Sequence, residues 1–159
     1  MRIALFEPDI PQNAGAILRL CACLGVEVDM VGPAGFVLTD AKLKRAGLDY
    51  AAHAALTVHQ SWAAFSRSLT PEKRLVLLTT KGDTDYRTVA YRPGDVLMVG
   101  RESAGVPDFV HDAARLRITI PLAEGMRSLN VVTAAAIVLG EALRQTGDFP
   151  GDPAAPERP

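Results

Sequence analysis

A set of arginines and amides, without a convincing nucleophile, is where chemistry could reside in this chain of 159 residues. Arg19, Arg101 and Arg127 stand with Asn13, Glu102, Ser128 and Asn130 beside glycines or at helix entrances. Such groups suit positioning, charge stabilisation and deprotonation of a hydroxyl rather than covalent catalysis. His53, His59 and His111 lie apart from any Ser or Cys with a suitable setting, and no cluster with metal-ligand spacing is visible, so no metal is expected. Gly100 and Gly105 enclose four residues as in a phosphate-binding loop, but Val106-Pro107 follow where Lys-Ser/Thr is required. The first strand is not followed by G-x-G-x-x-G, so a dinucleotide fingerprint is missing as well. Glycines after a buried strand still permit close approach of backbone to a flat ligand; tight turns alone are the competing explanation.

The stretch that organises these residues is Ile118–Gly147. Ile118–Leu122 reads as a short strand stopped by Pro121, Ala123–Arg127 as a loop, and Ser128 to about Gln145 as a helix that ends at Gly147. That helix carries two apolar stripes: Leu129, Val132, Ala136, Leu139 and Leu143, and then Val131, Ala135, Val138 and Ala142. Two stripes predict burial on two sides, one against a sheet and one against a partner subunit. Arg127, Ser128 and Asn130 cluster at the helix entrance, where free N–H groups and the dipole suit a small polar or anionic group. An N-capping Ser128 with ordinary neighbours explains the same residues.

Upstream, Arg2–Phe6 predicts a strand, and Glu7-Pro8-Asp9 breaks it. Pro11 opens a helix that runs to Leu24 and stops at Gly25, with Ile17, Leu18, Cys21 and Leu24 as its buried face and Gly15 leaving room beside Arg19. Val26–Val31 alternates as a strand does. Thr39-Asp40 caps a short helix in which Lys42, Lys44 and Arg45 either contact phosphates or form a solvated face. Ala55–Val58 suggests a strand and Ser61–Leu69 a helix. Leu75–Thr80 and Asp95–Val99 are continuous apolar runs, the pattern of strands buried on both faces. Lys81-Gly82-Asp83 is a turn, Asp85–Tyr91 is ambiguous, and Phe109–Ala114 is a short helix.

Strands alternating with helices predict an α/β fold with a mostly parallel sheet and helices on both faces. The length fits one domain over residues 1–147, followed by a Pro- and Gly-rich tail, 148–159, expected to be disordered. A net charge of -1 gives no global signal for nucleic acid, so RNA binding would need a local patch. Cys21 and Cys23 point in different directions from one helix and are expected to be reduced, core-packing thiols of a cytoplasmic protein. The opening residues read as a strand, so no signal peptide is expected, and no apolar run is long enough to span a membrane.

Three segments resemble the SPOUT class of knotted RNA methyltransferases, and within it the small TrmL (YibK-like) group that acts on tRNA riboses. Pro11–Arg19 is similar to the family's N-x-G-x-x-x-R motif, Leu97–Pro107 to G-x-E-x-x-G-[LV]-P, and Ile120-Pro121-Leu122 with Arg127–Asn130 to the third motif. Arg45–Tyr50 and Leu78–Gly82 also match, so the resemblance covers residues 1 to about 147.

The resemblance implies a deep C-terminal trefoil knot holding S-adenosylmethionine. The cofactor would touch Leu78, Thr79, Gly100, Arg101, Glu102, Ile120, Leu122, Ser128 and Leu129. It implies a homodimer through the C-terminal helix, whose second apolar stripe forms part of the interface, with the RNA-side motif of one subunit facing the cofactor of the other. The reaction implied is 2′-O-methylation of the wobble cytidine or modified uridine in the anticodon stem-loop of leucine tRNAs. By position, Arg19 would help activate the 2′-hydroxyl, Asn13 would orient it, and Glu102, Ser128 and Asn130 would shape the pocket. Because an arginine stays protonated, charge stabilisation fits Arg19 better than proton removal. Lys42, Lys44, Arg45 and Arg127 become candidate RNA contacts. Departures from the family pattern are Gly140 in place of a tyrosine, Val131-Val132-Thr133 in place of Leu-Ser-Asn, and Arg101 in place of a proline. Two readings compete: methylation of another tRNA or rRNA ribose, and a non-catalytic dimeric RNA-binding protein of the same fold.

Overall fold

A computed structural model describes residues 1–36, 50 and 53–152. Seven strands form one sheet: β1 (Arg2–Phe6), β2 (Glu27–Val31), β3 (Leu56–His59), β4 (Arg74–Leu78), β5 (Thr84–Asp85), β6 (Asp95–Val99) and β7 (Leu116–Thr119). Their spatial order is β3-β2-β1-β6-β4-β7-β5, and every pairing is parallel. Among the described residues the helices are α1 (Pro11–Leu24), α2 (Trp62–Ser68), α3 (Asp108–Ala113) and α4 (Val131–Thr146), with a 3-10 turn at Tyr86–Thr88.

Side chains alternate across a strand, so each strand feeds two cores. On one face Ile3, Leu5, Val28, Met30, Val76, Leu97, Val99 and Ile118 pack beneath α1 and α4. On the other, Ala4, Phe6, Val31, Leu75, Leu77, Val96 and Met98 meet Phe65 of α2 and Val110 of α3. The apolar runs in β4 and β6 thus mark strands covered on both sides, and β6 is buried along its whole length. Buried carboxylates are paired. Asp95 takes two bonds from Arg74 at 2.8 and 2.7 Å. Asp29 is bonded by Arg2 at 2.7 and 3.0 Å and by His59 at 2.7 Å.

Several boundaries move from their expected places. The last strand begins two residues early, at Leu116, where it pairs with Val76 of β4, and ends at Thr119, which pairs with Asp85 of β5. The last helix begins at Val131, not Ser128: Asn130 is the cap, its Oδ1 accepting from Val132 N at 2.9 Å and Thr133 N at 3.4 Å. The third strand begins at Leu56, since Ala55 has φ 43. The ambiguous stretch resolves into the two-residue β5 and the 3-10 turn.

The two-stripe reading of the last helix is corrected. Ala135, Val138, Leu139, Ala142 and Leu143 form one face buried within the chain, so the stripe assigned to a partner faces the chain's own core. The side turned outward carries Thr133 and Ile137, the latter 37% exposed. Cys21 is buried but Cys23 is exposed, so only the former packs in the core. Gly15 is buried on α1, and Arg19, one turn later, is exposed. The expected helix with Lys42, Lys44 and Arg45, and the tail from Pro153 on, lie outside the described residues.

Candidate active site

Ligands of parallel sheets bind beyond the carboxyl ends of the strands. Here the ends of β4, β6 and β7 surround a cavity of about 660 Å³, within the range that accommodates small ligands.

The connection after β4 supplies Leu78, Thr79 and Thr80. It is tied to β7 by Thr79 N–H donating to Ile118 O at 2.9 Å and Asp83 N–H donating to Arg117 O at 3.2 Å. Gly82 between them lies against β7 so closely that a Cβ would meet Ile118 C at 2.5 Å. The turn glycine predicted from sequence therefore serves a close backbone approach.

The connection after β6 is a tight hairpin. Arg101 N–H donates to Gly105 O at 3.0 Å and Gly105 N–H to Arg101 O at 2.7 Å, with Gly105 at φ 69. A Cβ on Gly100 would meet Gly105 C at 2.7 Å, so both glycines are needed to fold the backbone flat against the cavity. The third wall is Thr119–Leu122 and Met126–Val131. Every residue from Pro121 to Asn130 is exposed, Met126 to 65%, which leaves apolar side chains at the mouth.

Asn13 enters from the first turn of α1, and its Oδ1 accepts from Asn130 Nδ2 at 3.4 Å. Its amide also reaches the Glu102 carboxylate, which is half-buried. Burial, reinforced by the neighbouring Asp9 carboxyl, raises the Glu102 pKa above the usual carboxylate range. Asp9 moves the opposite way: hydrogen bonds with Glu102 and Ser103 hold it down to about 2. Arg101 forms an ion pair with Glu7, so its charge is partly neutralised at the rim.

The cavity thus gathers Asn13, Leu78, Thr79, Gly100, Arg101, Glu102, Ile120, Leu122, Arg127, Ser128, Leu129 and Asn130, all predicted from sequence. It does not include Arg19. That guanidinium lies 5.1 Å from the centre of the Tyr50 ring, and Arg19 is six residues beyond Asn13, about 9 Å along the helix. Sequence reasoning missed Glu7 and Asp9, taken merely as a break after β1; two acids flanking Pro8 at a strand's carboxyl end were the available signal. Among the described residues no three His, Cys, Asp or Glu side chains are grouped to hold a metal, and no helix is long and apolar enough to cross a membrane.

Residues 1–140 match the SpoU rRNA Methylase family. The chain is 55% identical over 146 residues to the tRNA (cytidine(34)-2'-O)-methyltransferase of Beijerinckia indica subsp. indica, covering 91% of both chains. A solved structure concerned with 2-OH methylation of C/U34 on tRNA is 40% identical and superposes with TM-score 0.84 over 91% of this chain and 94% of the other. An AdoMet-bound rRNA methyltransferase from Sinorhizobium meliloti is 28% identical, with TM-score 0.76 over 90% of this chain and 55% of that longer one.

Proposed function

The chain belongs to the SpoU rRNA Methylase family, and from that premise we propose that it methylates the ribose 2′-hydroxyl of nucleotide 34, a wobble cytidine or uridine, in tRNA. The methyl donor is S-adenosylmethionine, and the finer substrate we infer is the anticodon stem-loop of a leucine tRNA. One observation carries the reading: Asn13, Glu102 and Asn130, from three distant segments, converge on one cavity in a chain so close to a cytidine-34 methyltransferase.

The cavity suits the cofactor. Leu78, Ile120, Leu122 and Leu129 offer apolar walls for an adenine ring, and Thr79 and the two hairpin glycines bring backbone polar groups to its edge. When bound, S-adenosylmethionine supplies an electrophilic methyl group on a sulfonium. The protein's task is then to align a weak nucleophile with that methyl and to stabilise the oxygen as its proton leaves. Asn13, fixed between Glu102 and Asn130, orients the hydroxyl. Ser128 and Asn130 shape the floor at the start of α4, where N–H groups favour negative charge. Arg127, exposed at the mouth, is placed to meet a phosphate, and the basic residues Lys42, Lys44 and Arg45 are further contacts for the RNA backbone by their charge.

Arg19 serves the cavity of a second copy. It stays protonated and stabilises the developing oxyanion or a flanking phosphate. The dimer that brings it there uses the outward side of α4, around Thr133, Ile137 and Gly140, where a Cβ on the glycine would meet nothing within 4 Å. We also infer the trefoil knot. β7 lies between β4 and β5, so the 79–83 connection crosses its end, and the chain continues past that crossing to Asn130 and α4.

The test is methyl transfer from labelled S-adenosylmethionine to tRNA from a strain lacking the protein, with the product mapped by mass spectrometry. A 2′-O-methyl at nucleotide 34, lost in Arg19→Ala, is the expected result. Methyl at another ribose overturns the substrate, and cofactor binding without transfer to any RNA overturns the enzyme.

A further inference from the structure

We propose that Asp9 is a positioning residue of the methyl-transfer site, locking the 100–107 hairpin to the start of α1 so that Glu102 and Asn13 hold one fixed relation. The proposal rests on the methyl-transfer reading for its kinetic consequence and on geometry alone for its structural one.

Asp9 and Glu102 exchange bonds across 93 residues of chain. Asp9 N–H donates to Glu102 Oε2 at 3.1 Å, and Glu102 N–H donates to Asp9 Oδ1 at 3.1 Å. The Ser103 hydroxyl donates to the remaining Asp9 oxygen. Each carboxylate thus satisfies the other residue's backbone, which defines both the separation and the rotation of the two loops. A third loop closes in from behind. Gly35 N–H donates to Pro8 O at 2.9 Å, and a Cβ on Gly35 would lie 2.9 Å from Asp9 Cβ. The Glu7–Arg101 pair adds a second tie between the same two segments. Asn13 stands four residues after Asp9, one turn into the helix, and its amide meets the same Glu102 carboxylate. The polar line Ser103–Asp9–Glu102–Asn13–Asn130 therefore runs from the hairpin to the cap of α4.

Asp9 is absent from the cavity wall, so it touches neither cofactor nor ribose there and acts only through Glu102. Its low pKa keeps it an ionised acceptor under working conditions. An amide at this position keeps the size but carries one acceptor oxygen where the two donors Glu102 N–H and Ser103 O–H now use two. The hairpin then shifts against α1, and misplacement of order 1 Å at a reacting centre costs about 100-fold in rate.

The experiment compares wild type with Asp9→Asn, measuring kcat for tRNA methylation, the Kd of S-adenosylmethionine by calorimetry, and the side-chain amide NMR signals of Asn13 and Asn130. The expected result is kcat lower by about 10- to 100-fold, cofactor Kd within about 3-fold, and both amide signals displaced. Ser103→Ala moves the same signals less and lowers kcat less. Unchanged kcat with unmoved amide signals overturns the proposal, as does a fall in cofactor affinity that matches the fall in kcat. Wild type inactive on tRNA sinks the functional reading alone, and the amide signals then decide the role of Asp9.

Discussion

Gly82→Ala tests whether the crossing of β7 by the 79–83 connection governs stability. The new methyl would start 2.5 Å from Ile118 C, 2.6 Å from Ile118 O and 2.9 Å from Thr119 N. Ordinary contact begins near 3.4 Å, so connection and strand must part by about 0.9 Å, and all three obstructing atoms are backbone. β7 cannot retreat easily, being paired with β4 on one side and β5 on the other. The separation falls on two hydrogen bonds, Thr79 N–H to Ile118 O at 2.9 Å and Asp83 N–H to Arg117 O at 3.2 Å. Overpacking of this kind costs about 1–3 kcal/mol, and each weakened bond up to about 1 kcal/mol. Loss of glycine's freedom in the unfolded chain returns about 0.4–1 kcal/mol. At the middle of these ranges the net is a destabilisation of roughly 2 kcal/mol, which at this chain length lowers Tm by roughly 4–8 °C. Thermal unfolding followed by circular dichroism at fixed protein concentration reads it. A Tm within 2 °C of wild type, by the same conversion under about 1 kcal/mol, would refute the argument.

Asn130→Ala removes the cap of α4 and its bond to Asn13, which should cost about 1 kcal/mol in chemical denaturation and more in methyl transfer than that loss of stability explains. Asp95→Ala leaves Arg74 and the Arg92 N–H without their acceptor, and destabilisation of about 3–5 kcal/mol is expected in urea titration. For Asp9 the folded pKa is depressed from 3.8 to about 2, so its stabilisation is present above 3.8 and lost as pH falls towards 2. Acid titrations of wild type and Asp9→Asn should therefore differ at neutral pH and converge near pH 2. If Arg19 serves the partner's cavity, mixing inactive Arg19→Ala and Glu102→Ala subunits restores activity: half the dimers are mixed, each with one intact site of two, giving about one quarter of wild type. No recovery after exchange would place Arg19 and Glu102 in one protomer.

What the sequence disclosed followed the strength of the local signal. Leu75–Leu77 and Val96–Val99 are buried because a strand under helices on both faces has no polar side, and an unbroken apolar run says so. Gly25 and Gly147 both take the left-handed conformation that ends α1 and α4. Ser128 and Asn130 are both capping types, so residue type alone did not separate them; Asn130 caps α4, and its Nδ2 also donates to Asn13 of α1, a long-range contact that local sequence does not encode. The stripes on α4 were misassigned for a related reason: small and branched apolar residues nearly circle the helix, and only the direction of the sheet decides that Ala135 and Val138 turn inward while Ile137 turns out. Asp9 was the costliest omission, because its meaning lies in a hairpin 93 residues away.

The place of β7 in the sheet also constrains the order in which the molecule can be completed. Both of its neighbours, β4 and β5, precede it in the chain, and β6 and α3 are synthesised before it as well. A nascent chain up to Ala114 can pair β1, β2, β3, β4 and β6, yet it must leave a strand's width vacant beside β4 until Leu116–Thr119 emerges. The last walls of the cavity, Ile120 to Ala134, follow only after that slot is filled. Long-range parallel pairing of this kind is slow to form. Until Leu116–Thr119 has emerged, a nascent chain can therefore hold five of the seven strands while the third wall of the cavity has yet to be made.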